Sequence, residues 1–146
     1  VIGDKGEKAR VLVVESDVDL ARMAGDLFTR ENAVVKVAHS REQAVDMYLI
    51  FQPQLLVLNI DLPGGDGYGF VDWLREQESL PRIPLIVYSI RDLTPAGRRQ
   101  LTADATCLLT KARVQPEQLE MLLLTMLRGS RQIEEDLSSV SSARNS

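Results

Sequence analysis

Short runs of consecutive apolar residues alternate along this chain with segments where apolar residues return every three or four positions. "ARVLVVE" (residues 9–15) is a β-branched run without a break, the pattern of a strand buried on both faces. Leu20, Met23, Ala24, Leu27 and Phe28 follow at helical spacing, completing one βα unit. "AVVKV" (33–37) predicts a second strand. Ser40 with Gln43 reads as a capping box for a helix carrying Ala44, Val45, Tyr48 and Leu49, which Pro53 stops. "LLVLN" (55–59) is the third strand, and "PGGDG" (63–67) leads into a helix whose inner face includes Phe70, Val71 and Leu74. "IPLIVYS" (83–89) is the fourth. Thr94 and Pro95 mark an N-cap and first helical position, although Gly97 weakens the helix that runs to about Leu101. "ATCLLT" (105–110) predicts a fifth strand and residues 116–128 a last helix.

Five βα units at this spacing need crossover connections, so the expected fold is α/β, a central five-stranded parallel sheet with helices on both faces. Sheets of this kind place their sites at the carboxyl ends of the strands. The residues there are Glu15, Ser16 and Asp17 after the first strand, Asn59 to Asp61 after the third, Ser89 after the fourth and Lys111 after the fifth. They are expected to converge in one crevice.

With 146 residues, one domain with short extensions is expected. A 45% hydrophobic, 26% charged composition excludes a disordered or fibrous chain. The net charge of −4 and the scattered arginines argue against a nucleic-acid partner, since phosphate neutralisation needs clustered cations. The N-terminal apolar run 11–14 is far too short to span a bilayer, and neither signal peptide nor anchor is read. Lone Cys107 reads as a small buried strand residue, which fits a reducing cytoplasm. His39 lacks a second His or Cys nearby and reads as a surface residue. Asp66 with Gly67 reads as turn chemistry, and "GGDGYG" has the wrong spacing and strand for a dinucleotide loop.

Four segments together resemble the receiver domains of two-component response regulators, over roughly residues 9–128. "VLVVESD" is similar to the family's acidic turn after the first strand, and "LNIDLPGGDG" to its phosphoacceptor strand and Pro-Gly loop. "VYS" ends where the family's switch Ser or Thr sits, and "LLTK" supplies its lysine, Lys111. The resemblance implies a flavodoxin-like (βα)5 fold and a part in phosphorelay signalling.

The departures fall on the chemistry. The family's phosphoacceptor aspartate lies four residues before the loop proline, and counting back from Pro63 reaches Asn59. Of the acidic pair only Glu15 is a carboxylate; Ser16 is neutral and Asp17 is displaced by one position. Ser89 matches the switch position, but the aromatic partner three residues before Lys111 is Leu108. Phosphoryl transfer to a receiver needs an ionised carboxylate in line with the donor and Mg²⁺ offsetting the developing charge. A carboxamide is a poor nucleophile, and a hydroxyl is a weak ligand for a hard cation. Neither acyl phosphate nor bound Mg²⁺ is therefore expected, and Asn59 is read as preserving the pocket's shape while removing its chemistry. Lys111 would then be satisfied by Glu15, Asp61 or the side-chain oxygen of Asn59.

Two functions stay open: a phosphorylation-independent interaction module without catalytic activity, or a phosphoacceptor that uses Asp61 instead. For the first, the partner is a protein, either a histidine kinase domain or a second copy of the chain. Met121 and Leu124 fall outside the core stripe of the last helix and mark its expected interaction face. Residues 1–8 read as a linker and 129–146 as a polar tail. "RDLTPAGRRQL" is similar to the receivers that close hybrid sensor kinases.

Overall fold

The computed structural model describes residues 8–89, 93–102, 104 and 107–110. Five parallel strands, β1 (Arg10–Val14), β2 (Val34–Ala38), β3 (Leu55–Asn59), β4 (Leu85–Ser89) and β5 (Cys107–Thr110), form one sheet in the order β2-β1-β3-β4-β5. The crossovers are helices α1 (Val18–Arg30), α2 (Arg41–Phe51), α3 (Asp66–Glu76) and α4 (Pro95–Thr102). This is the doubly wound α/β arrangement that the alternation predicts. The expected last helix, with Met121 and Leu124, the tail and Lys111 lie outside the described residues.

Alternation along the strands divides the core in two. Val11, Val13, Leu55, Val57 and Ile86 join Leu27 and Phe28 of α1 on one face. Leu12, Val14, Leu56, Leu58, Leu85 and Val87 pack with Tyr48, Phe70, Val71 and Leu101 on the other. Phe28 and Phe70 are fully buried, each contributing about 2–3 kcal/mol of transfer free energy to its layer. Trp73 stacks on Phe70 at 5.9 Å and meets Tyr48 edge-on at 5.7 Å, covering the α2–α3 side of the sheet.

Local signals set the helix ends. Ser40 Oγ accepts from Gln43 N at 3.2 Å, while Gln43 Oε1 accepts from His39 N at 2.8 Å, one residue earlier than a capping box requires. Gln52 ends α2 in the left-handed region at φ 51°, immediately before Pro53. Thr94 Oγ1 accepts from Gly97 N at 3.0 Å, the expected cap of α4.

Several expectations need correction. Met23 is 52% exposed and Leu49 50% exposed. At about 100° per residue Leu49 stands a full step beyond buried Tyr48, and Met23 lies on the flank of the stripe made by Ala21, Leu27 and Phe28. Strand β4 begins at Leu85 and not at residue 83, because Pro84 has no N–H to give a ladder; its carbonyl still accepts from Leu56 N at 3.0 Å. The tight turn before α3 falls at Gly64 (φ 69°) and Gly65 (φ 75°), inside a 3₁₀ turn, and not at Asp66 and Gly67. Gly67 is required for another reason: a Cβ there would lie 2.5 Å from the carbonyl oxygen of Ile60.

Candidate functional site

The face that carries Val13, Val57 and Ile86 continues, two residues further along each strand, into Glu15, Asn59 and Tyr88. Asn59 and Tyr88 are direct partners in the β3–β4 register, and Val13 pairs with Val57 one alternation earlier. A row of three polar side chains thus crosses the carboxyl end of the sheet. Glu15 is fully buried and Asn59 is 5% exposed.

A carboxylate removed from water survives only if its lone pairs are satisfied. Asn59 Nδ2 donates to Glu15 Oε1 and Oε2, each at 3.0 Å. The backbone N–H of Asp17 donates to Oε2 at 3.0 Å, and the Tyr88 hydroxyl donates to Oε1. A carboxylate offers about four lone-pair positions, and these contacts take up all of them. Asn59 is satisfied in turn, because its Oδ1 accepts from Asp61 N at 2.9 Å. The Glu15 backbone joins β2's end through its N–H to Ala38 O, at 2.9 Å, and its carbonyl meets His39 Nδ1 at 2.9 Å.

Other expected members of the crevice take different places. Ser89 is buried, and its Oγ donates to Asp61 Oδ2 at 2.8 Å, joining the ends of β3 and β4 on the opposite pleat from Tyr88. Asp17 is exposed and caps α1, its Oδ1 accepting from Asp19 N at 2.9 Å and Leu20 N at 3.0 Å. Ser16 is half-buried beside this turn. Leu108 packs, partly buried, on the α2–α3 side of the core. His39 is exposed, as the sequence predicts, and its ring touches the Glu15 backbone, so it borders the site.

A Mg²⁺ ion takes oxygen ligands, chiefly ionised carboxylates with lone pairs to offer. The Glu15 oxygens are already committed to four donor contacts, Asp17 caps a helix, and Asp61 accepts the Ser89 hydroxyl. These residues do not fit a Mg²⁺ site as they are arranged.

Tyr88 is absent from the expected site, although it completes the cage. Its aromatic ring in a buried strand reads as core, and only the pairing of β3 with β4 sets it beside Asn59. Burial, the hydrogen bond to Glu15 and that carboxylate's charge all push the phenol's pKa well above the tyrosine range. A raised pKa contributes stability that is present below the unfolded value, about 10, and is lost as pH rises beyond it. Tyr88→Phe is expected to cost about 1.5 kcal/mol between pH 6 and 9, the worth of a hydrogen bond to a charged group. Above pH 10 the gap to the parent chain should narrow by up to about 1.4 kcal/mol per pH unit. Urea unfolding across this range checks it: a gap that stays constant to pH 11 would mean that Tyr88 ionises in the folded protein as freely as in the unfolded one.

Comparison with known proteins agrees with this architecture. The family model described as the response regulator receiver domain matches residues 11–123. The chain is 30% identical over 78 residues to a protein named probable transcriptional regulator ycf27 from Cyanophora paradoxa, covering 53% of this chain and 33% of that one. It is 30% identical over 129 residues to the transcriptional regulatory protein TrcR of Mycobacterium tuberculosis, covering 88% of this chain and 49% of that one. It therefore spans a third to a half of these relatives. A receiver domain protein described as CheY-like, from Methanospirillum hungatei, superposes with a TM-score of 0.71 at 18% identity, over 88% of this chain and 99% of that one. With the strand order, the helices on both faces and the polar row at the carboxyl ends of the strands, the match places this chain in the response regulator receiver domain family of two-component signalling.

Proposed function

We propose that this receiver domain works without being phosphorylated, as a protein-interaction module whose pocket is held closed by hydrogen bonds. The observation that carries the reading is the Asn59 amide donating to both oxygens of buried Glu15. At the strand position where the resemblance puts the nucleophile, the side chain is a neutral donor turned into a carboxylate cage. It has no charge to attack phosphorus, and Ser16 adds none beside it.

The arrangement also favours the resting state. Two carboxylates at 4 Å repel by about 4 kcal/mol at an effective dielectric of 20. Here Asn59 converts that repulsion into attraction, so the shape a receiver needs for docking persists without metal or phosphoryl group. The partner is a protein, a histidine kinase domain or a second copy of this chain, and Met121 and Leu124, in the segment whose sequence pattern predicts a last helix, are the proposed contact. Among the described residues no helix is long and apolar enough to cross a membrane.

Incubation with acetyl phosphate and Mg²⁺, followed by intact mass measurement, tests the reading. No phosphoryl mass should appear, and about 5 mM Mg²⁺ should leave the melting temperature unchanged, since a ligand stabilises only as far as it binds. An added phosphoryl mass that disappears in Asp61→Ala would overturn the proposal in favour of Asp61 as acceptor.

A further inference from the structure

We propose that Tyr88 is a positioning residue that weakens divalent-cation binding at this site by holding the Glu15 carboxylate inside its cage. The inference rests on the phosphorylation-independent reading above and adds a determinant to it. Asn59 and Ser16 account for two missing charges. They leave Glu15, a fully buried carboxylate that the Asn59 amide engages through both oxygens without filling all its lone-pair positions.

The Tyr88 hydroxyl is the one side-chain donor to Glu15 besides Asn59 among the described residues. Its position is enforced by backbone pairing: Tyr88 stands opposite Asn59 in the β3–β4 ladder, on the pleat that continues Ile86 into the core. The phenol therefore reaches Glu15 across β3 from a strand that cannot shift without breaking the register. A cation drawing on Glu15 Oε1 must displace this hydroxyl, while Oε2 is held by Asn59 Nδ2 and the Asp17 N–H. The contact is geometric: the hydroxyl donates to Oε1 and offers the carboxylate a neutral partner in place of a cation. Ser89, the neighbouring residue on β4, points to the other pleat and binds Asp61. Adjacent residues of one strand thus hold the two carboxylates of the crevice separately.

The test compares cation affinity with and without the hydroxyl in a chain that has regained its carboxylates. Asn59→Asp with Ser16→Asp is prepared with Tyr88 intact, with Tyr88→Phe and with Tyr88→Leu, and free Mn²⁺ is counted by electron paramagnetic resonance during titration. Removal of the hydroxyl should tighten Mn²⁺ binding about tenfold, the scale set by one charge-assisted hydrogen bond. Phe keeps the ring and Leu removes it, so an equal gain in both assigns the effect to the hydroxyl and not to packing. A ratio below about threefold in both variants, with circular dichroism showing intact folds, would overturn the role of Tyr88. Mn²⁺ binding by the unaltered chain at micromolar concentration would instead sink the metal-free reading on which the inference rests.

Discussion

Asn59→Asp should lower the stability of the metal-free domain by about 2–4 kcal/mol at neutral pH, although it exchanges only an amide for a carboxylate. The exchange removes the donor that contacts both Glu15 oxygens at 3.0 Å and sets a second negative charge in its place. Like charges at that separation repel by about 5 kcal/mol at an effective dielectric of 20. The pair relieves part of this by binding one proton, which raises the apparent pKa of the site. A raised folded-state pKa fixes the sign of the pH dependence: the penalty is absent below the unfolded carboxylate value and grows as pH rises through the folded one. Urea unfolding at pH 7 and pH 5 should therefore show the variant recovering toward the parent at the lower pH. A variant as stable as the parent at pH 7 would mean that Asn59 does not face Glu15. Adding Ser16→Asp should make this cost reversible by metal, with Mg²⁺ restoring stability and allowing some acyl-phosphate formation. Output through the usual switch should stay lost, because Leu108 has no aromatic ring to turn inward.

Gly67→Ala should destabilise the domain by a net of about 2 kcal/mol, against the usual direction for a glycine inside a helix. Helix propensity alone favours Ala by about 1 kcal/mol. The new methyl, however, would meet Ile60 backbone atoms at 2.5 and 2.8 Å, and a backbone cannot rotate away as a side chain can. Overpacking of this kind costs about 1–3 kcal/mol, at the upper end where the neighbour is rigid. The damage should extend to the site, since Ile60 lies between Asn59 and Asp61, whose N–H to Asn59 Oδ1 bond helps seat the amide. Gly64→Ala is the control: its methyl meets nothing within 4 Å, and only its positive φ of 69° opposes it. That control should cost about 1 kcal/mol. Chemical denaturation of the two variants side by side decides the matter, and equal losses would show that the close approach at Ile60 relaxes freely.

Fold class was legible because it depends on periodicity and connection length. Runs such as 55–59 can bury both faces only in a covered parallel sheet, and the helices between them make the crossovers. The caps of α2 and α4 were legible too, since Ser40 and Thr94 act on backbone within three residues. Burial of helix flanks was less so: Met23 and Leu49 are apolar and near the stripe, but which flank a neighbouring layer covers is not a property of the helix.

An amide, a lone Glu and a serine at the carboxyl ends of the strands are legible from residue counts, because position along a strand is counted in residues. What those groups do to one another is set by the folded sheet. Glu15 and Asn59 are 44 residues apart, and Tyr88 lies 73 from Glu15. Hydrogen bonds over such separations exist only once strand register has set the side chains on one pleat. That is why the Tyr88 hydroxyl that closes the cage appears in the folded chain alone: it depends on direction in space, which spacing along the chain does not carry. The Asp17 cap of α1, made to backbone two and three residues away, is by contrast a local contact of the same kind as those of Ser40 and Thr94.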